Sequence, residues 1–464
     1  LITRLTNDIT QIQNMIMMTL RMCLRSPGIL IGAMVMAFVI SSKLAAIFII
    51  VLPVLAVLIV VIMRRAFPQF RTLQEKLDAL NSCIQEGLVG IRLIKSFVRG
   101  DYEEMRFEKR NQQLKEANLT AMKTMLLYTP LMTLALNITT VVVVWSGGNM
   151  IVAGNMQVGD LTAFTNYIVQ IMSSLTMLSI AFLNWARAIA SFRRVGEVLD
   201  EKIDLTDENA KHKDRAVCEG SVEFQNVSFR YYKNSPEWVI ENISFKLEAG
   251  KTLGIIGSTG SGKSTLVSMI PRLYDTDEGT VLVDGINVRD YGLKPLREGI
   301  GMVLQNNTLF SGSITENLKW GDEHADEKAV RKAAQNAQAA GFIDSFKDGY
   351  RTRLEQSGNN VSGGQKQRLC IARALLKCPK ILILDDSTSA VDTATERAIR
   401  EALHSEYKDM TKIIIAQRIR SVMDADEILV LDNGKTAGFG THEQLLADCP
   451  VYREIYDVQN GREE

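Results

Sequence analysis

Residues 257–265 read GSTGSGKST. The run fits GxxxxGK[ST], follows the apolar stretch TLGII and runs into the apolar stretch LVSMI. Strand, glycine-rich turn and helix, in that order, are the setting in which this pattern holds phosphate. Gly257, Gly260 and Gly262, with Ser258, Thr259 and Ser261 between them, let backbone N–H groups wrap an anion. The helix N-terminus adds its partial positive charge. Lys263 is expected to reach the β- and γ-phosphates of a nucleotide and Ser264 to ligate Mg²⁺, with Thr265 completing the motif.

Working outward, the stretch 381–392 reads ILILDDSTSAVD. Its apolar run ends at Asp385, the acid expected to hold Mg²⁺ directly or through water. A strand ending in an acid says little alone; paired with the phosphate loop it says much more. Further apolar runs at 280–283, 300–304, 412–416 and 428–431 read as strands, with helical stretches between several of them. Val222, Phe224, Val227 and Phe229 read as a first strand with an irregularity. Residues 219–464 therefore form an α/β domain, preceded by a polar linker at 200–218.

The first half of the chain is different. Residues 44–63 contain no charge over 20 residues, the length of one membrane span at helical rise. Residues 125–145 and 161–183 are uncharged runs of similar length, and 28–40 is a shorter one that the apolar pattern Ile12, Ile16, Leu20 extends. Four spans are expected, at about 15–40, 44–63, 125–147 and 161–186, within a helical domain at 1–199. Arg64 and Arg65 follow the second span, and Arg187, Arg193 and Arg194 follow the fourth, so those ends read as cytoplasmic. The charged region 64–124 is too long for a loop. It is expected to extend two helices beyond the membrane and to turn near Arg99-Gly100-Asp101. No Asp or Glu occupies a span centre, which disfavours coupling to an ion gradient. The 53 basic and 53 acidic residues balance, so no nucleic-acid partner is expected. Six cysteines show neither CxxC nor ligand spacing and read as reduced thiols.

Between the phosphate loop and the acidic strand lies VSGGQ, Val361 to Gln365, followed by KQRLCIARAL. With this run the whole chain resembles an ATP-binding cassette (ABC) transporter of the exporter type. The resemblance implies an all-α transmembrane helical domain followed by an α/β P-loop nucleotide-binding domain with a helical subdomain. It implies ATP and Mg²⁺ as ligands. Ser362, Gly363, Gly364 and Gln365 would cap the γ-phosphate held by an opposite subunit. Tyr231 would stack on adenine, Gln305 would contact Mg²⁺ and the attacking water, and Asp392 in SAVD would cross the dimer interface. LITRLTNDITQI at 1–12 resembles the stretch after the family's first intracellular coupling helix, so the first two of six spans are expected to be missing.

The chain departs from the family where chemistry occurs. Asp386 stands at the catalytic Glu position and Gln417 at the position of a γ-phosphate-contacting His. Gln356 and Ser357 replace a charged Glu-Arg pair. An Asp carboxylate sits roughly 1.5 Å short of a Glu, and misplacement on that scale costs about 10²-fold. Gln donates a hydrogen bond but cannot become a cation. The pattern resembles the degenerate-site half of a heterodimeric exporter, whose signature serves its partner's competent site. A homodimer with slow hydrolysis and a non-transporting ATP-gated regulator are the alternatives. The implied setting is a lipid bilayer, that of the cell membrane, with the ATPase domain cytoplasmic. Substrates implied at family level are amphipathic drugs, lipids or peptides. Met34, Met36, Met125, Met132, Met172 and Met177 would either line an adaptable cavity or pack helices.

Overall fold

The computed structural model describes residues 4–387, 391–459 and 461; the side chains of residues 4, 5, 21, 23, 179–188 and 190 lie outside the description. Arg187 of the fourth span's basic end falls outside it, as do Ser389 and Ala390 of the SAVD run. The chain divides into two compact units, Leu1–Lys202 and Ile203–Glu464.

The described part of the first unit is helical. Ser41, extended at φ −156°, ends the helix Arg25–Ile40 and accepts the Leu44 N–H at 3.4 Å to start the next. That next helix, Ser42–Val89, runs 48 residues through Pro53 and Pro68. At 1.5 Å per residue it is ~70 Å long, more than twice a hydrocarbon core of about 30 Å. Its charged second half therefore extends past any membrane. The chain turns where the sequence placed the turn: the short helix Ile91–Ser96 ends, Val98 takes φ +52°, and Gly100–Leu126 returns. Among the described residues two helical runs are long and apolar enough to cross a membrane, Ser42–Val89 and Gly100–Val152, with Arg25–Ile40 shorter. The expected span 161–186 lies in the helix Val158–Leu199, many of whose side chains are outside the description.

Packing in this unit relies on small residues and aromatic contacts. Phe48 stacks on Phe164 with centroids 5.5 Å apart. A Cβ on Gly147 would lie 2.5 Å from Leu161 Cδ1, so glycine permits the close approach of two helices there. Met132 and Met172 are buried among these helices, which makes them packing residues, while Met177 is exposed. The buried Asp8 carboxylate accepts from Ser191 Oγ and from Arg194 Nε, both at 2.9 Å.

The second unit is built on a six-stranded sheet. Its order is Lys435–Gly440, Glu427–Asp432, Thr252–Gly257, Thr411–Ile415, Ile381–Asp385, Ile300–Val303. Every pairing is parallel except the first. Its parallel strands are largely apolar on both faces, as a covered parallel sheet requires. A four-stranded antiparallel sheet holds Val222–Phe229 between Ile240–Leu247 and Glu278–Val283. The irregularity expected in the first strand appears as register shifts between Phe224 and Val227 and between Val227 and Phe229. Residues 203–218, within the expected linker, contact this unit: Asp207 accepts the Leu293 N–H at 3.2 Å and His212 N–H donates to the Asp290 carbonyl at 2.7 Å.

Candidate functional site

Sheet register brings the candidate residues together. Ile415 pairs with Ile255 on one side and with Asp385 on the other. Gly257, Asp385, Asp386 and Gln417 therefore emerge at one edge, the carboxyl ends of adjacent parallel strands, where ligands of such sheets bind. A cavity of about 210 Å³ opens there. Thr259, Gly260, Gly262, Lys263, Ser264, Thr265, Gln305, Asp385, Asp386 and Gln417 all line it.

The loop's shape depends on glycine at two positions. Gly262 takes φ +90°, and a Cβ there would sit 2.6 Å from Ile240 Cγ2 and 2.9 Å from the Val239 carbonyl. Gly260 takes φ +85°. Lys263 folds over the loop, its ammonium donating to the Gly257 carbonyl at 2.9 Å, the Ser258 carbonyl at 2.7 Å and Ser261 Oγ at 3.3 Å. Burial draws this ammonium below its usual value, while Asp385 and Asp386 oppose the shift. Tyr231, half exposed, contacts Thr265 Oγ1 through its hydroxyl at 2.9 Å and packs edge-on against Phe229 and Tyr274.

The two acids are treated differently by their neighbours. Asp385, 3% exposed, accepts from Ser264 Oγ at 2.9 Å, so a hydroxyl and a carboxylate converge beside the loop. Asp386 takes the left-handed φ of +46°, which Asp tolerates better than most residues. Its Oδ2 accepts from Gln417 Nε2 at 2.7 Å, and the Gln305 side chain hydrogen-bonds it as well. The two positions at which the sequence departs from the family thus contact each other. Burial raises both carboxyls above their ordinary range; the bonds from Ser264 and Gln417 oppose it.

These shifts fix the sign of a pH effect. Groups whose folded values exceed their unfolded ones bind protons more tightly in the fold, so their ionisation costs stability at neutral pH and protonation restores it as pH falls. Asp385→Asn is therefore expected to raise the thermal midpoint of the ligand-free protein at pH 7.5, with the gap to wild type closing toward pH 5. Scanning fluorimetry at the two pH values checks this, and a lowered midpoint would count against it.

The remaining candidates lie elsewhere. Ser362 caps the helix Gly363–Leu376: its Oγ accepts the Gln365 N–H at 3.3 Å, and Gln365 Oε1 accepts the Ser362 N–H at 2.9 Å. Ser362 and Gly363 are exposed, and none of 362–365 lines the phosphate cavity. Asp392 caps Thr393–Glu406 by accepting the Thr395 N–H at 3.0 Å, a bond that holds its carboxyl below the usual range. One residue escaped the sequence reading. Gln459, in the helix Pro450–Gln459, donates to the Gln417 carbonyl and accepts the Ile419 N–H, both at 2.8 Å. No local pattern signals a contact that spans 42 residues.

Comparison with known proteins gives matches over most of the chain. A family model described as ABC transporter transmembrane region matches residues 1–175, and one described as ABC transporter matches 240–389. YfiB of Bacillus subtilis strain 168, an uncharacterized ABC transporter ATP-binding protein, is 42% identical over 462 residues, covering 100% of this chain and 80% of that protein. YgaD of the same organism, provisionally named a multidrug export ATP-binding/permease protein, is 36% identical over 466 residues, covering 99% of this chain and 79% of its own. Among solved structures, a bacterial Atm1-family ABC exporter with ATP bound superposes with a TM-score of 0.85 at 27% identity, covering 98% of this chain and 80% of that one.

Proposed function

This chain belongs to the ABC transporter family, as an exporter half-transporter with fused transmembrane and ATPase domains, and on that premise we propose that it is the catalytically weak half of a heterodimer. ATP hydrolysis coupled to export is the family activity; the proposal concerns which half performs it. The observation that carries it is the Gln417–Asp386 hydrogen bond.

The phosphate loop and Lys263 bind the triphosphate. The donor set beside them is a hydroxyl, a carboxylate and an amide, Ser264, Asp385 and Gln305, and hard oxygen donors of this kind suit Mg²⁺. Among the described residues no three His, Cys, Asp or Glu side chains cluster as a metal site, so the cation would rely on these residues and on nucleotide oxygens. When bound it neutralises phosphate charge. Asp386 is the group placed to take a proton from water. Its carboxylate is short and its Oδ2 is turned to Gln417, so it reaches an attacking water less well than a Glu would. Gln417 in turn spends its amide N–H on Asp386 and brings no positive charge to the γ-phosphate. The site therefore binds ATP and hydrolyses it slowly. Ser362 and Gly363, exposed at a helix N-terminus, with the partly exposed Gly364 and Gln365 beside them, are free to meet a nucleotide held by a partner.

Substrate class follows the membrane half. The described spans carry no central carboxylates, which supports ATP-driven export of amphipathic or drug-like compounds, lipids or peptides, and the naming of YgaD agrees. We place the protein in the cell membrane with its ATPase domain in the cytoplasm, on the basis of the basic residues after the spans. The test is the purified lone chain. It is expected to bind ATP yet release phosphate about 10²-fold more slowly than the assembled pair. Rapid turnover by the lone chain would refute the weak-half reading and leave a working homodimer.

A further inference from the structure

The nucleotide-binding unit holds a second cavity, about 910 Å³, between the helix Thr393–Glu406 and the strand Thr411–Ile415 with the loop that follows it. Arg397, Arg400, Lys412 and Arg420 line it, opposed by Glu401 and Asp424, an excess of two positive charges. Lys412 lies on a central strand of the parallel sheet and is 5% exposed. Its ammonium has no hydrogen bond or ion pair among the described residues; it feels Asp426 and Asp409 only at a distance. The Nε of Arg400 is buried without a partner, although the same guanidinium donates to the Arg420 carbonyl at 2.6 Å and reaches the largely exposed Asp424 at 3.4 Å.

Buried cations are ordinarily paired, because an unpaired charge in a poorly solvated site is costly. Glu401 and Asp424 offset only part of the positive lining, and neither reaches the Lys412 ammonium. Burial pulls Lys412 below its usual value, a shift an anion in the cavity would reverse. The space is larger than a bare phosphate needs and lies within the range of small-molecule sites. Leu403 and Met423 give it an apolar wall. The planar forks of arginine match phosphate oxygens in pairs.

We propose that this cavity binds a small phosphorylated metabolite with at least two negative charges and an apolar body, separately from the ATP site. Its walls adjoin both loops of that site: Asp392 caps the helix carrying Arg397 and Arg400, and Arg420 follows Gln417 by three residues. An occupant would therefore press on the catalytic edge from behind.

Sodium pyrophosphate titrated calorimetrically into the full chain in detergent tests this. Two sites per chain are expected. Lys263→Ala removes the phosphate-loop site and leaves the other. Arg397→Ala, at an exposed position, weakens the second site about tenfold or more; Lys412→Met, of similar volume, does the same. A single site that Lys263→Ala abolishes would overturn the proposal. So would a second site indifferent to both Arg397→Ala and Lys412→Met.

Discussion

Asp386→Glu combined with Gln417→His is expected to raise hydrolysis at this chain's own site by up to about 10²-fold when the chain is assembled with its partner. The single changes are expected to do less, because each leaves half of the present contact behind. With Glu alone, the longer carboxylate still faces the Gln417 amide that now donates to Oδ2 at 2.7 Å. With His alone, the ring meets an acid too short to place water. Together they restore a carboxylate of full reach and a side chain able to carry charge near neutral pH. The gain has a counterweight. Position 386 is left-handed at φ +46°, and Glu accepts that conformation less readily than Asp, at a cost of about 1 kcal/mol. The double variant should therefore be slightly less stable and faster. Phosphate release by pairs whose partner site has been silenced measures the effect. No gain would mean that Asp386 is drift in a working enzyme.

The second large effect is an asymmetry. Gly364→Asp in this chain is expected to reduce hydrolysis by the pair at least ~10²-fold, whereas Lys263→Ala in the same chain should leave most of it. The signature sits at the start of the 14-residue helix Gly363–Leu376, whose aligned N–H groups favour an anion. A carboxylate introduced there would repel the γ-phosphate of the partner's nucleotide. Lys263, by contrast, serves the site proposed to turn over slowly. In a homodimer both substitutions would disable both sites equally, so equal losses would remove the heterodimer reading. Gly364 lies near an exposed helix start, and circular dichroism of the variant separates loss of chemistry from loss of fold.

The phosphate loop, the acidic strand and most of the parallel sheet were legible because each is a short apolar run bounded by a motif or a turn. Two strands longer than two residues were not. Lys435–Gly440 reads KTAGFG, whose glycines signal a loop; it is a strand because it lies on the sheet edge, paired antiparallel with Glu427–Asp432. Ile240–Leu247 alternates buried and exposed residues only partly, and its register with Val222–Phe229 was invisible from either segment alone. In the site, resemblance marked Asp386 and Gln417 as two departures around one γ-phosphate, but not their contact with each other. Only the pairing of Ile415 with Asp385 explains why they meet. Lys412 sat within an apolar run and drew no notice, since a strand pattern does not say which cation will lack a counter-charge.

The bracing of Gln417 by Gln459 has a practical corollary. Both bonds run from the last turn of the final helix to the backbone on either side of Arg418. A fluorophore, surface tether or bulky fusion attached to that helix is therefore not a passive handle. It tugs on the segment that positions Gln417 against Asp386, and a signal recorded through it will mix reporting with interference.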